Sequence, residues 1–380
     1  MTDFSTSDKL NVVKLSVVFS IFDFKYGSLP AYSTIEEETA KKVALKSHLP
    51  LTLAQERNME ESEAVIPFPT FNQTGYVYLF TIPGKHERAE EHTASLTYLV
   101  DSSKKMELYR QIALLRLQAE EIVKYLKNNF IYEENKPLSR DIQEIIKSWG
   151  SLLDNAEISL DEQYVKRKIT IKSSEIEPSF SFLFSIITKP QEFERLITGL
   201  YLGKPIFLAS SNITVVDLCI KTLEEFVPHR TLRKIVYTED PVKTEDADLI
   251  GINRPLMKLY SKELILDLDK GRVFNGERST FVERMLKDIK DKNQQNAVKI
   301  ITERILWLLD QVSQLTEAFV VPEDKMECEK GIQKIIREAP DALNIVIEMA
   351  AAASPVIEER MRSEMGRWKE RALDFTKRGW

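Results

Sequence analysis

The stretch GLYLGK at residues 199–204 has nearly the spacing of a phosphate-binding loop. A Walker A loop places four residues between its glycines and a Ser or Thr after its lysine, because that hydroxyl holds the magnesium ion. Here three residues separate Gly199 from Gly203, and Pro205 follows Lys204. A phosphate-binding loop also follows a strand and opens a helix, whereas this stretch follows a helical pattern and precedes an apolar strand. We therefore predict that Gly203 ends a helix and that Lys204 leads into a buried strand.

Two other groups of residues have the types, but not the spacing, of a metal or acid–base site. Asp267 and Asp269 alternate with leucines and so share one face of a strand, but that strand ends in Asp-Lys-Gly-Arg, which is typical of a hairpin turn. We predict a solvated strand end there. His86 and His92 are six residues apart, whereas the H-E-x-x-H zinc motif needs histidines at i and i+4. No nucleophile–histidine–acid arrangement can be assigned to the four histidines of the chain.

Composition places the chain among ordinary globular proteins. Its 380 residues, 43% hydrophobic and 29% charged, suffice for two or three domains with real cores. A net charge of −6 does not favour binding to nucleic acid. Its two cysteines, Cys219 and Cys328, lie far apart in helical patterns, so no disulfide framework, metal site or cofactor is expected. The polar first residues and the short apolar runs predict a cytoplasmic protein.

Residues 12–130 carry the pattern of an antiparallel sheet with helices packed on it, an α+β domain. Thr34 and Glu37 have the spacing of a capping box, which predicts a helix from about 36 to 47. Apolar residues at helical spacing predict a long amphipathic helix between 108 and 126. Alternating residues predict strands at about 15–21, 29–33, 76–82 and 94–100.

The second half of the chain has a different pattern. Residues 131–164 carry a polar stretch with a proline and one helical pattern, which predicts a helical linker. Short apolar strands alternate with helical patterns over 165–290, which is typical of a mainly parallel, covered sheet. Residues 291–380 are predicted to be all helical. The strands of the α/β region are predicted at 205–208, 234–237, 249–252 and 263–269, with a helix at 213–226.

Three motifs of the α/β region follow one another in a recognisable order: LYLGKPIFLASSN, ADLIGINRPL and KELILDLDKGRV. Together they resemble the central module of DENN domains, with its GKxIxLxS strand, its helix ending near a proline and its DLD strand. The resemblance covers roughly residues 190–290 by motif. Region 12–130 is similar to a longin domain, the first lobe of such proteins, and 291–380 fits their helical third part. The chain therefore resembles longin–DENN proteins, and among them the folliculin-type group.

The resemblance implies a regulator of Ras-superfamily small GTPases in membrane trafficking. An exchange factor needs a surface that binds the nucleotide-free GTPase more tightly than the loaded one, and no catalytic side chain. A GTPase-activating subunit would need a mobile arginine, and a scaffold would need neither. We expect an exchange factor and keep the other two as alternatives. A second longin–DENN subunit or a homodimer is also expected, because folliculin-like complexes pair two longin lobes.

The expected partner contacts include one arginine suited to catalysis. Arg88 lies near the middle of a loop predicted from Pro83 to Thr93, in the region where the folliculin group carries an arginine that reaches the nucleotide. Its guanidinium suits phosphate oxygens, but Glu87, Glu90 and Glu91 in the same loop favour a plain solvated loop. The residues that we assign to partner contact are Lys85, Arg88, Asn253 and Arg254.

A C-terminal helical pattern is the last candidate surface. Its apolar stripe is accompanied by many basic residues, so it could contact a partner or an anionic membrane peripherally, or pack onto its own helical domain. We favour packing onto the domain. The stripe consists of Ile357, Met361, Met365, Trp368 and Ala372.

Overall fold

The computed structural model of the 380-residue chain describes most of its residues and divides them into two compact units. The first unit takes residues up to Lys104 together with Leu114–Ile158, and the second takes Lys105–Ala113 and the chain from Ser159 onward. The protein is of mixed α/β class with two five-stranded sheets, in coarse agreement with the predicted fold class. The described residues are 16–23, 25–49, 61–86, 89–133, 137–152, 178–320, 330, 333–337, 340–364 and 366, without the side chains of 86, 89–90 and 148–152.

The sheet of the first unit is antiparallel throughout, in the order β2-β1-β5-β4-β3. Sequence alternation identified four of its strands and missed β3. Both faces of β3 are buried, and its residues SEAVIPF neither alternate between apolar and polar nor form a continuous apolar run. The strands are β1 (Ser16–Asp23), β2 (Gly27–Ser33), β3 (Ser62–Phe68), β4 (Gln73–His86) and β5 (Ala89–Asp101).

Helix α1 (Glu37–Ser47) lies in the first unit and buries Ala40, Val43 and Ala44. The capping box predicted for its first turn is wrong, because the N-cap is Glu36 and no side chain caps the helix. Thr34 is instead used by the sheet: its hydroxyl accepts a hydrogen bond from the Val17 amide at 2.8 Å. The two further helices are α2 (Lys105–Asn129) and α3 (Arg140–Leu152).

Buried polar contacts hold α2 on strands β3 and β4. The Glu63 side chain is only 9% exposed, and Arg116 of α2 donates from Nε to its carboxylate at 2.9 Å. The Tyr76 hydroxyl donates to the same carboxylate. Two residues before Glu63, Glu61 accepts from the Tyr78 hydroxyl and from Lys127 of α2, each at 2.6 Å. The helix is therefore placed by charge pairs as well as by its apolar face.

The sheet of the second unit has the order β10-β9-β6-β8-β7. Its four strands β6 to β9 run parallel and β10 pairs antiparallel with β9, so the predicted mainly parallel sheet is present. The strands are β6 (Ile206–Ala209), β7 (Lys234–Thr238), β8 (Leu249–Ile252), β9 (Leu264–Asp267) and β10 (Arg272–Phe274). The helices are α4 (Phe180–Ile186), α5 (Pro190–Tyr201), α6 (Ile213–Glu224), α7 (Thr280–Ile289), α8 (Gln294–Val320) and α9 (Leu343–Ala353).

The two faces of this second sheet are covered differently. Helices α5 and α6 lie on one face, where Gly199 meets Leu264 and Gly251 meets Val216. The connecting segments 239–248 and 253–263 lie on the other. Their side chains complete an apolar cluster with the strand residues that point that way. That cluster contains Phe207, Ala209, Ile250, Ile252 and Ile265 from the strands, packed with Val242, Ala247, Leu256, Met257 and Tyr260 from the segments.

Candidate functional site

The region predicted to be a loop around Arg88 is largely a paired hairpin. Pairing of β4 with β5 continues through Ile82↔His92 and Pro83↔Glu91 to His86↔Ala89. The predicted loop from 83 to 93 is therefore wrong, and only positions 87 and 88 separate the strands. A register shift after Pro83 breaks the alternation, which is why the sequence pattern ended the strand too early. The side chain of Arg88 lies outside the described residues.

A segment that follows α2 braces this hairpin. The Tyr132 amide donates to the Pro83 carbonyl at 2.8 Å, and the Lys85 amide donates to the Tyr132 carbonyl at 2.9 Å. Gly84 leaves room for the His92 ring of β5, because a Cβ at this position would stand 2.1 Å from that ring. Residues 83–85 are thus held by β5 on one side and by Tyr132 on the other, and they precede positions 87 and 88 by only a few residues.

Lys85 is the one residue of this predicted site with a described, exposed charge. Its side chain is 65% exposed, and its ammonium pairs with Glu133 at 3.0 Å. Such an exposed pair contributes little to stability. Lys85 can therefore exchange this partner for another carboxylate or phosphate.

The other two predicted contact residues lie where the parallel strands end. Asn253 follows β8 and is half-buried, and its amide donates to the Thr238 carbonyl at 3.0 Å. Arg254 begins the short 3₁₀ helix Arg254–Lys258. In open α/β sheets this carboxyl edge is the usual place for a ligand.

Arg254 is occupied by two aspartates. Its Nη2 lies 3.1 Å from Asp267 Oδ2 and its Nη1 lies 3.6 Å from Asp269 Oδ2. The Ser210 hydroxyl, from the end of β6, donates to Asp269 at 2.8 Å. The predicted solvated strand end is therefore wrong for Asp267, which is 3% exposed. The cause is topological, since the loops after β6, β8 and β9 meet at one edge of the sheet.

Asp267 is the chemically unusual member of this group. Its second carboxylate oxygen, Oδ1, is buried and has no hydrogen-bond partner. A buried acceptor without a donor costs free energy. The ion pair that Arg254 makes with the other oxygen, Oδ2, offsets part of this cost and stabilises Asp267 in its position. Arg254 remains about one-third exposed, and any partner that binds here must share this guanidinium with both aspartates.

The glycine–lysine stretch is scaffold, as predicted. Gly203 has a φ of +70° and its amide donates to the Leu200 carbonyl, so it ends α5. Lys204 leads into β6, and its ammonium pairs with Glu277. Asn212 caps the following helix through its Oδ1, which accepts from the Thr214 amide at 3.0 Å.

Several groups of reactive type are buried. Burial raises the pKa of the Cys219 thiol far above its usual range, as expected of a packed cysteine on α6. No group of histidines, cysteines and carboxylates within the described ranges could hold a metal ion.

In the C-terminal stripe, Ile357 and Met361 are buried, which favours packing within the second unit. The other three residues of the stripe, Met365, Trp368 and Ala372, lie outside the described residues.

His48 and His229 are buried in the neutral form. Burial lowers the pKa of His48 to about 4, although its Nδ1 donates to the Ala44 carbonyl at 2.9 Å. Burial lowers the pKa of His229 to about 3, and the nearby positive charges of Arg230 and Arg110 lower it further.

These two histidines predict acid sensitivity. An unfolded histidine takes up a proton near pH 6.5, whereas these do so only near their lower folded pKa values. Their contribution to the free energy of unfolding is complete above pH 6.5 and is lost as the pH falls toward those folded pKa values. At pH 5 the loss is about 2 kcal/mol for each histidine. Urea unfolding at pH 7 and pH 5 measures it. His229→Gln should remove one histidine's share, and an unchanged pH dependence would refute the assignment.

Sequence reasoning missed the exposed apolar side chains of the second unit. Leu259 is 63% exposed and Phe274 is 39% exposed. Each stands beside basic residues, in MKLYSK and DKGRVF, and that mixture was the available signal.

Within the described part of the chain, no helix is both long and apolar enough to cross a membrane. In comparisons with known proteins, neither a family model nor a curated protein matches the chain.

Proposed function

We propose that the protein is a longin–DENN-type regulator of Ras-superfamily small GTPases that acts as a guanine-nucleotide exchange factor. The observation that carries this proposal is where the DENN-like motifs fall in the second unit. GKPIFLAS contains β6, ADLIG ends in β8, and LILDLDKGRV forms the β9–β10 hairpin. An antiparallel sheet with helices precedes that unit, which fits a longin-like first lobe.

Exchange is the activity that such a framework can perform by binding alone. A protein that binds the nucleotide-free GTPase more tightly than the loaded form shifts the equilibrium toward nucleotide release. Two contact regions are proposed, one in each unit: the hairpin residues Lys85 and Arg88 in the first, and the strand-end residues Asn253 and Arg254 in the second. These offer positive charge and hydrogen-bond donors to an acidic GTPase surface.

The test is release of a fluorescent guanine nucleotide from a panel of Ras-superfamily GTPases. We expect at least one GTPase to release its nucleotide more than about tenfold faster with the protein present. Lys85→Ala should slow the stimulated release. Lys124→Ala, on the exposed side of α2, should not, and serves as the matched control. If no GTPase in the panel responds, exchange is ruled out, and a GTPase-activating role or scaffolding remains.

A GTPase-activating role is the second candidate, because position 88 falls between the two strands of the braced hairpin. Single-turnover GTP hydrolysis with the responding GTPase separates the two activities. A true arginine finger would lose about 10³-fold of the stimulated rate in Arg88→Ala, with little change in binding. On the exchange proposal we expect a change below tenfold. Arg88→Lys, which keeps the charge but not the fork, is the control.

The assembly partners follow from the same resemblance. We propose a second longin–DENN subunit or a second copy beside the first unit, whose edge strand β2 pairs only with β1 among the described strands. An unpaired sheet edge is a surface that proteins cover or pair. A cytoplasmic location, and a peripheral membrane contact through the C-terminal basic segment, remain proposals of lower rank.

A further inference from the structure

One face of the second sheet is covered by the segments 239–248 and 253–263 instead of by helices α5 and α6. One half of this face is acidic. Segment 239–248 follows β7 and contributes Val242 and Ala247 to the apolar cluster of this face. Its side chains Glu239, Asp240 and Glu245 are exposed. None of these three carboxylates makes an ion pair within the described part of the chain. Lys243 is the one basic residue among residues 239–248.

The opposite half of the same face is basic. Lys258 and Lys262 are exposed on the segment before β9, and Lys270 and Arg272 are exposed on the β9–β10 hairpin. These four side chains make no ion pair with any described residue. The aspartates of this half are already engaged by Arg254, as described above, so the four positive charges have no ion-pair partner among the residues that the structure describes.

The two halves start at opposite edges of the sheet and meet in the middle of the face. Glu239 and Asp240 follow β7 at one edge, whereas Lys270 and Arg272 belong to the hairpin at the other edge. Four inter-strand spacings of about 4.8 Å place these edges roughly 19 Å apart, a distance at which charges exposed to water are largely screened. In the middle, the Tyr260 hydroxyl accepts from the Val242 amide at 2.7 Å and donates to the Val242 carbonyl at 2.9 Å. This contact involves no charged side chain, and no ion pair joins the two halves within the described part of the chain.

Exposed apolar side chains lie between and beside the halves. Tyr260 stacks on Phe207 of the central strand β6, with ring centroids 4.1 Å apart, so the adjoining Leu259 projects near the middle of the face. Phe274 is paired with Ile265 at the β10 edge. Parallel sheets normally carry a helix layer on each face, whereas the described elements supply that layer on one face only.

We propose that this face is an interface between two copies of the chain, related by a two-fold axis near Leu259. A two-fold axis sets the acidic half of one copy on the basic half of the other, and it does so twice. The same rotation brings the two Leu259 side chains together at the centre and removes them from water. The surface is thus complementary to itself, which is what selects a second copy over an unrelated acidic or basic partner.

The experiment measures the mass of the full-length protein by light scattering across a concentration series, at ~50 mM and ~500 mM salt. We expect a dimer at low salt that weakens at high salt. Lys258→Glu with Lys262→Glu should raise the dissociation constant by about tenfold or more, because like charges then face each other. Glu239→Lys with Glu245→Lys should do the same. The control, Lys292→Glu with Lys299→Glu, makes an equal charge change at exposed positions of the same unit.

Mixing the two charge-reversed proteins gives the decisive result. One then has two acidic halves and the other two basic halves, so a mixed dimer restores both contacts. We expect a dimer in the mixture and monomers in each protein alone, a rescue that misfolded variants would not show. A wild-type protein that stays monomeric at every concentration overturns the proposal. So does a dimer that ignores both reversals, or a mixture without rescue. The mass measurement is independent of any GTPase.

Discussion

Gly251→Ala is expected to lower the free energy of unfolding of the second unit by about 3 kcal/mol or more. A Cβ at this position would lie 2.0 Å from the Val236 carbonyl oxygen and 2.6 Å from Val216 Cγ1. The carbonyl points at Gly251 because β7 has a register shift between Ile235 and Thr238. Relief of the clash would require β7 to move away from β8, and that movement would break the pairing at this edge of the sheet.

Urea unfolding or hydrogen exchange of the β8 amides measures this loss. Gly203→Ala is the matched control in the same unit. It forces a side chain into a positive φ of +70° but meets only the end of Arg230, at 3.4 Å. That change should cost about 1 kcal/mol. Equal losses for the two variants would show that the close approach of β7 is not what requires glycine at 251.

Arg116→Ala is expected to cost about 3 kcal/mol, because it leaves the buried Glu63 carboxylate without its cation. In this variant the Tyr76 hydroxyl still donates to Glu63, and Arg116 is 43% exposed. We therefore expect a loss at the lower end of the range that is typical of a broken buried ion pair. Replacing both partners by leucine should recover much of it, since no charge then remains buried.

Denaturant unfolding and hydrogen exchange of β3 and β4 amides compare these variants. Lys41→Ala is the control, since Lys41 is half-exposed and pairs with exposed Glu37 and Glu38 on α1. That change should leave the unfolding transition nearly unmoved. A double-leucine protein that is less stable than Arg116→Ala would contradict the role assigned to the charge.

Local patterns predicted the strands whose sequence carries a simple periodic signal. Strands β1 and β5 alternate because serines or threonines lie on one face and apolar side chains on the other, although both faces are buried. The buried parallel strands β6 and β8 are short apolar runs. Strand β3 is buried on both faces without being a continuous apolar run, so it gave no pattern. The ends of β4 and β5 were hidden by Pro83 and Gly84, which are tolerated at a register shift.

The contacts at the candidate sites depend on tertiary topology, and this is why the sequence predicted them poorly. Arg254 and Asp267 are joined only because β9 crosses to the far side of β6. The brace between Tyr132 and the hairpin links residues 48 positions or so apart through backbone groups, and backbone groups carry no side-chain signature. The sequence offered Lys85 and Arg254 as contact candidates, but it did not identify their internal partners, Glu133 and the two aspartates.

The burial of Cys219 allows local opening of the second unit to be measured by the rate at which its thiol is labelled. A thiol reagent attacks the thiolate, and a thiol enclosed in α6 becomes a thiolate only after that part of the protein opens. In a Cys328→Ser protein, Cys219 is the one remaining cysteine, so the labelling rate would report how often the structure around Cys219 opens. Comparing that rate with and without a bound GTPase would reveal which partner holds the unit closed, without any spectroscopic label.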